Sequence, residues 1–466
     1  MTAQEGHPPL SASSPAEHFA QTADAELVSI RPDARLAYYQ GSLAQNGGEV
    51  SLDSLNRRVG ALERGQAGGY DMPLRTGSWQ HYVFGRLQGD TVTIGQSPSN
   101  IAQVGHAPNG TELERARLGV QGTGYDVYFY RFEADFAQPD PVSGRAPRIT
   151  DAYAEIRELP FGTLRMGQFR VPLSIERVTS ANDLTFIERG LPQAFNPARE
   201  LGIMAMNSTQ SYFFSWYSDV STQQANAEGE QFGKSGRVDL TERIVLLPWY
   251  DEPSEGRYLF QLGAGYLYSN TRNSVVRYGS APEAVLQYAN VVNVIPNFVD
   301  TGNIVARNTN TVQAEASTVL GPLSFQAEYY GVFVDPTVNP LGGQDLFFSG
   351  WYVFGSYFLT GEHRVYNRTQ AIYTSVTPFT NFFRVRGADR GILTGPGAWE
   401  AAVRFSQLNL SDRSIQGGRL NDITLGLNWY LTRQMKIMLN YVYVMNDVHN
   451  VMTYANIVET RAQVVW

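Results

Sequence analysis

Arg115 and Arg117, in the run Glu114-Arg115-Ala116-Arg117-Leu118-Gly119, stand two residues apart. On an extended strand that spacing puts both guanidinium groups on one side. Arg86, in Gly85-Arg86-Leu87-Gln88, can join them. Arginine offers a fixed fork of donors to an oxyanion and stays charged near neutrality, so a row of them makes a path for phosphate or carboxylate in a wet channel. The same residues could instead be paired lumen charges that only keep a pore hydrated. The sequence alone leaves both readings open.

Other chemistry is poorly represented. His81, His106, His363 and His449 are scattered, and no zinc-protease, nucleophile-elbow or phosphate-loop spacing occurs. The chain has 0 Cys, which removes disulfides, thiolate metal sites and thiol catalysis together. Glu133 and Asp135, in Arg131-Phe132-Glu133-Ala134-Asp135, share a strand face and could act as an acid and base pair or hold a cation. A water-filled lumen wants charge on that face in any case. The expectation is therefore a protein that is not an enzyme and uses no cofactor and no metal. A net charge of −8 argues against nucleic acid as a partner.

A second polar feature follows the strand-like run Leu164-Arg165-Met166-Gly167-Gln168-Phe169. The excursion from there to Gly202 carries Arg170, Arg177, Arg189 and Arg199, interleaved with Glu176, Asp183, Glu188 and Glu200. A loop of roughly 30 residues without apolar periodicity is usually functional or disordered. This one is too rich in Phe, Leu and Ile for disorder. If the surrounding strands close into a barrel, it is the natural element to narrow the pore.

The elements that must position these residues are strands. From about Trp79 to Trp466 the pattern has period two: Tyr128, Tyr130 and Phe132 alternate with Arg131, Glu133 and Asp135. Ala401, Val403 and Phe405 oppose Glu400, Arg404 and Ser406; Leu425 and Leu427 oppose Thr424 and Asn428; Ile437, Leu439 and Tyr441 oppose Lys436 and Asn440. No stretch approaches the ~18 apolar residues of a spanning helix, so a bilayer protein of this kind has to be a barrel. A barrel turns one residue in two to lipid and the rest to its lumen. Aromatic residues near strand ends and the final run Ala462, Val464, Trp466 favour the membrane. The fold class expected is all-β, a transmembrane antiparallel barrel over residues 79–466. At about 10 residues per strand plus turns it holds ~16 strands. A soluble or surface-attached sugar-binding β protein is the rival.

Gly122-Thr123-Gly124-Tyr125-Asp126, Pro160-Phe161-Gly162 and Gly321-Pro322 read as tight turns at one end. Residues 207–236, 270–310 and 367–397 read as long loops at the other. Residues 1–35 read as a disordered tail, and 36–78 as a short heptad helix with a linker. The heptad rests on Leu52, Leu55, Val59 and Leu62. It suggests a third, structural role, tethering the barrel within the envelope. Residues 1–20 lack the basic and apolar regions of a secretory signal, which reads as a processed chain.

Several runs in order resemble the phosphate-selective porin O and P family. They include Arg115-Ala116-Arg117-Leu118-Gly119, Asp151-Ala152-Tyr153, Arg165-Met166-Gly167-Gln168-Phe169-Arg170-Val171-Pro172-Leu173-Ser174, Leu184-Thr185-Phe186-Ile187-Glu188-Arg189, Ser356-Tyr357-Phe358-Leu359-Thr360-Gly361-Glu362-His363-Arg364 and Leu425-Gly426-Leu427-Asn428-Trp429-Tyr430. The resemblance implies a trimeric, 16-stranded barrel in the bacterial outer membrane that passes small hydrophilic solutes, anions preferentially, past an inward-folded third loop. It places the basic pair of the constriction on Arg177 and Arg189, its carboxylate on Asp151, and the lumen ladder on Arg86 and Arg115. Two positions depart from the family pattern. Glu114 stands where the paired-arginine motif begins, and Arg177 stands where the phosphate-selective members carry lysine.

Overall fold

The computed structural model describes residues 74–137, 147–223, 237–287, 293–337, 345–386 and 391–466. The heptad residues Leu52, Leu55, Val59 and Leu62 lie outside them. Sixteen long antiparallel strands form one closed sheet. They are β1 (Trp79–Gln96), β2 (Gly110–Gly124), β3 (Tyr128–Asp135), β4 (Arg148–Leu159), β5 (Gly162–Arg170), β6 (Arg199–Ser208), β7 (Phe214–Gln223) and β8 (Val238–Tyr250). The second half comprises β9 (Tyr258–Val276), β10 (Ile304–Leu320), β11 (Leu323–Pro336), β12 (Leu346–Phe358), β13 (Ala398–Asp412), β14 (Ile415–Tyr430), β15 (Met435–Val448) and β16 (Val451–Val465). A short strand, Leu74–Thr76, folds back on the start of β1.

Closure runs along β1 and β16, with Gln88 opposite Gln463 and Thr91 opposite Thr460. At the end of that seam the Trp466 backbone exchanges hydrogen bonds with Gly85 at 2.9 and 3.1 Å. Its indole lies across Gly85, where a Cβ would come within 2.3 Å of the ring. A glycine is what lets the two segments approach so closely.

The two-residue period sorts the side chains as a barrel requires. Leu425 and Leu439 face outward at 50% and 42% exposure, while Thr424 and Asn428 face inward at 0%. Apolar outside and polar inside is the inverse of a soluble sandwich, and the sugar-binding rival fails on it.

The long segments depart from expectation. Turns 125–127, 160–161, 209–213, 251–257, 321–322 and 431–434 share one end of the barrel. Residues 359–397, between β12 and β13, leave from that same end, because strand direction alternates and β12 runs towards it. Residues 367–397 are therefore not a loop of the opposite end. Residues 207–236 contain β7, and residues 270–310 lose their ends to β9 and β10.

Three segments fold into the lumen and give it a core. Residues 171–198, and residues 277–287 and 293–303, enter from the long-loop end. Leu173, Leu191, Phe195, Leu286, Ile295 and Phe298 pack there against inward-facing Val332, Val334, Leu408, Val442, Val444 and Ile457. From the other end, Tyr366, Ala371 and Tyr373 of the small ribbon Val365–Asn367 and Ile372–Thr374 pack on Phe169, Tyr217, Val245, Leu259 and Val319. Within the lumen Ser375 Oγ donates to Asp183 Oδ1 at 2.7 Å, joining segments from the two ends.

Candidate functional site

Residues 171–198 connect β5 to β6 and cross the lumen. They start with a single helical turn, Ile175–Val178, capped by Ser174, whose Oγ accepts from the Arg177 N–H at 3.3 Å. The exposed N–H groups at a helix start call for acceptors. Here the barrel wall supplies them: the Ile175 N–H donates to Glu315 of β10 at 2.7 Å and the Glu176 N–H to Glu328 of β11 at 2.8 Å. Further along, Arg404 of β13 donates to Glu188 O at 2.9 Å and Asn428 of β14 to Thr185 O at 2.7 Å. Lys436 of β15 reaches Leu184 O at 3.0 Å, Arg461 of β16 reaches Ile187 O at 2.7 Å, and Arg86 of β1 reaches Asn182 Oδ1 at 3.0 Å.

The loop is thus bonded along the wall from β10 round to β1. That side is dry, with side chains of Arg404 and Glu283 at 1% exposure and Arg461 at 0%. On the other side exposure is mixed, with Arg131 at 23%, Arg199 at 11% and Arg115 at 10%, but Glu133 and Asp135 at 0%.

The ladder residues Arg86, Arg115 and Arg117 all face inward, and all have carboxylate partners. Glu133 sits between Arg86 at 3.0 Å, Arg117 at 3.0 Å and Arg131 at 2.9 Å; Arg117 also holds Asp135 at 2.6 Å. A bulge opposite Gln88 and Gly89 inserts one residue in β2. It turns both Glu114 and Arg115 inward, 2.9 Å apart. Asp151 accepts from Arg199 at 2.7 Å and lies 3.6 Å from Arg131. It belongs to the same wall network as the ladder.

Arg177 and Arg189 lie on the loop and are half-buried. Arg177 donates to Pro197 O at 2.7 Å and Asn196 O at 3.1 Å. Arg189 donates to Glu176 O at 3.0 Å and Thr179 O at 3.0 Å. Arg170, at the end of β5, donates to Val178 O at 3.1 Å and Thr179 O at 2.9 Å. Among the described residues none of these three has a carboxylate within ion-pair distance. Burial, then the neighbouring charges of Arg189 and Arg199, push the Arg177 guanidinium below its ordinary pKa. Burial does the same to Arg189, with Glu176 opposing it and Arg115 adding to it. Burial raises the Glu176 carboxyl despite Arg404. At Glu188 burial acts in the same direction but is outweighed by Arg461 and Arg115, which hold it low.

Two further arginines complete the site. Arg170 and Arg199 stand directly opposite each other in the β5–β6 pairing, at the mouth of the loop. Like charges opposite one another on adjacent strands destabilise a sheet by roughly 0.2–1 kcal/mol. Both occur in the polar excursion, but their pairing across a loop of this length leaves no sequence signal. Around this zone the guanidinium groups of Arg86, Arg117, Arg131, Arg170, Arg177, Arg189 and Arg199 face the bonded carboxylates of Glu133, Asp135 and Asp151, and Glu176 and Glu188 of the loop offset part of the charge of Arg189. The arrangement can attract an anion and replace part of its hydration with N–H donors.

A model of the family described as phosphate-selective porin O and P matches residues 100–466. An uncharacterized protein of Caulobacter vibrioides is 25% identical over 367 residues, spanning 77% of this chain and 67% of that protein. Porin O of Pseudomonas aeruginosa is 22% identical over 409 residues, spanning 82% of this chain and 86% of its own. Among solved structures, a loop L8 deletion mutant of OmpT, an outer membrane protein of Vibrio cholerae, superposes with a TM-score of 0.51 at 11% identity. That superposition covers 84% of this chain and 100% of the mutant. A likeness at that identity speaks to the barrel fold.

Proposed function

The chain belongs to the phosphate-selective porin O and P family and is an outer-membrane porin, and on that premise we propose that it selects anions at the arginines gathered where residues 171–198 narrow the lumen. The observation that carries the proposal is the set of Arg170, Arg177 and Arg189 with no carboxylate at ion-pair distance among the described residues, beside Arg199. A solute diffuses down its gradient, with no chemical step. On reaching the narrow zone an anion exchanges some hydrating water for guanidinium donors, while a cation meets uncompensated positive charge.

The wall ladder contributes little net field and little ligation, because the three charges of Arg86, Arg115 and Arg117 are met by those of Glu133, Glu114 and Asp135, and the preference rests on the loop arginines. The pore therefore prefers anions as a class, inorganic phosphate among them, and Glu114 weakens discrimination in favour of phosphate. We also propose a homotrimer as the working unit. Purified protein in a planar bilayer should give current steps in groups of three, and its reversal potential in a salt gradient should have the sign of anion preference. Added phosphate should reduce chloride current. A potential of the cation-selective sign sinks the proposal.

A further inference from the structure

The segment from β12 to β13 does a second thing besides filling the lumen. After Tyr373 it returns to the rim and forms a ribbon, Phe383–Arg386 paired with Ile392–Gly395. The Phe382 ring meets Trp429 edge-on at 4.4 Å, and Trp429 stacks on Trp399 at 4.9 Å. Both tryptophans belong to outward faces of strands, at their short-turn ends. The Phe382 N–H donates to Leu431 O at 2.7 Å and the Trp429 indole N–H to Pro396 O at 2.8 Å, so the ribbon base is fixed to the wall.

Beyond that base the Phe383 ring, 61% exposed, lies 6.0 Å from that of Phe382, while Ile392, 57% exposed, pairs with Arg386 and so shares the ribbon's other face with exposed Arg384. Exposed large apolar side chains on both faces of a ribbon, next to an aromatic band, mark an interaction surface. Phe383 continues, through Phe382, the tryptophan band at the lipid-facing rim. Aromatic residues with an adjacent arginine suit the level of lipid headgroups, where rings meet acyl chains and the cation meets phosphate.

We propose that this ribbon docks on the periplasmic leaflet of the outer membrane, acting as a lateral foot for the segment whose earlier part sits in the lumen. The assignment of the leaflet follows from the short turns, which face the periplasm in bacterial barrels of this kind. Lumen filling and lipid contact are then properties of one continuous segment, tied at Leu431 and at Ser317, which accepts from the Tyr373 hydroxyl at 3.0 Å.

With 0 Cys in the chain, single cysteines can be placed without removing any native thiol. Phe383→Cys and Ile392→Cys, each spin-labelled in the full-length protein and reconstituted in phosphatidylethanolamine–phosphatidylglycerol vesicles, report accessibility to oxygen and to a water-soluble nickel chelate. Leu425→Cys supplies the lipid reference and Glu255→Cys, in an exposed turn, the aqueous one. Labels at 383 and 392 that match the lipid reference, with oxygen relaxing them more than nickel, support the foot. Labels that follow the aqueous reference overturn it. Labels shielded from both reagents overturn it too, and assign the patch to a second copy of the chain. Channel selectivity is untouched in every case, so the outcome is independent of the anion proposal.

Discussion

Replacing Arg177 and Arg189 by glutamine, singly and together, is the sharpest test of the constriction. The neighbouring side chains of Arg115, Arg131 and Arg199 are 10%, 23% and 11% exposed, so the site is wet but confined. An effective dielectric of about 40, between the protein-surface and bulk-water values, is then appropriate. At a separation of about 6 Å one guanidinium stabilises a monovalent anion by ~1.4 kcal/mol under those conditions, roughly a tenfold factor in occupancy. Each single variant should lower the anion-to-cation permeability ratio by up to about tenfold, and the double variant by up to about a hundredfold if the two act independently. The assay is the reversal potential across a potassium chloride gradient. Both arginines also hold loop carbonyls, so loss of the loop could mimic loss of charge. Arg189→Lys separates the two, since it keeps the charge and disturbs the carbonyl bonds. Unchanged reversal potential in the folded double glutamine variant refutes the reasoning. So does a lysine variant as unselective as glutamine.

Arg177→Lys makes a pH test. Burial, Arg189 and Arg199 lower the pKa of a cation at this place; lysine starts from about 10.4, well below arginine. The lysine variant should lose anion preference at a lower pH than the parent, because the same burial and neighbouring charges act on a group that starts lower, read from reversal potentials at each pH. Tyr373→Ala removes a buried ring and the stack on Arg364, whose guanidinium lies 3.6 Å from the ring centre. A loss of about 3–5 kcal/mol at such a site should free the inner ribbon, raising single-channel conductance with selectivity retained; unaltered conductance would show that the ribbon does not narrow the pore. Glu283→Gln leaves Arg404, 1% exposed, with Glu176 at 3.5 Å as its carboxylate. Arg404 keeps Glu176, so the loss is smaller than the about 3–5 kcal/mol of a fully unpaired buried charge; the segment carrying Glu283 should still become more protease-sensitive in intact barrels, and equal resistance to protease would count against its docking.

The wall was legible because its physics is local. Residues two apart share a face, and runs such as Leu425 and Leu427 against Thr424 and Asn428 show it without any knowledge of neighbours. The excursion holding Arg177 and Arg189 was visible for the same reason, as a place where alternation stops. Glu114 was harder: its inward position depends on a bulge set by register with Gln88, which no local pattern reveals. Arg170 and Arg199 become one feature only through strand pairing across the loop. The apolar lumen did leave a trace, in runs such as Tyr441-Val442-Tyr443-Val444 that are hydrophobic on both faces, with Val442 and Val444 at 0% exposure. A two-sided apolar strand in a barrel signals that something folds against its inner side. The end from which residues 359–397 depart required counting every strand, and a single error in such a count reverses the answer.

The loop's contacts at its far end straddle the seam where the sheet closes. Asn182 receives Arg86 of β1, while Ile187 receives Arg461 of β16, and Arg461 in turn holds Asp90 of β1 at 2.6 Å. Those partners are neighbours only once the first and last strands have met. The loop's full set of wall contacts is therefore complete only once the seam has closed. The loop latches across the barrel's last joint, so that an assembly defect at β1 and β16 would show itself first as a leak.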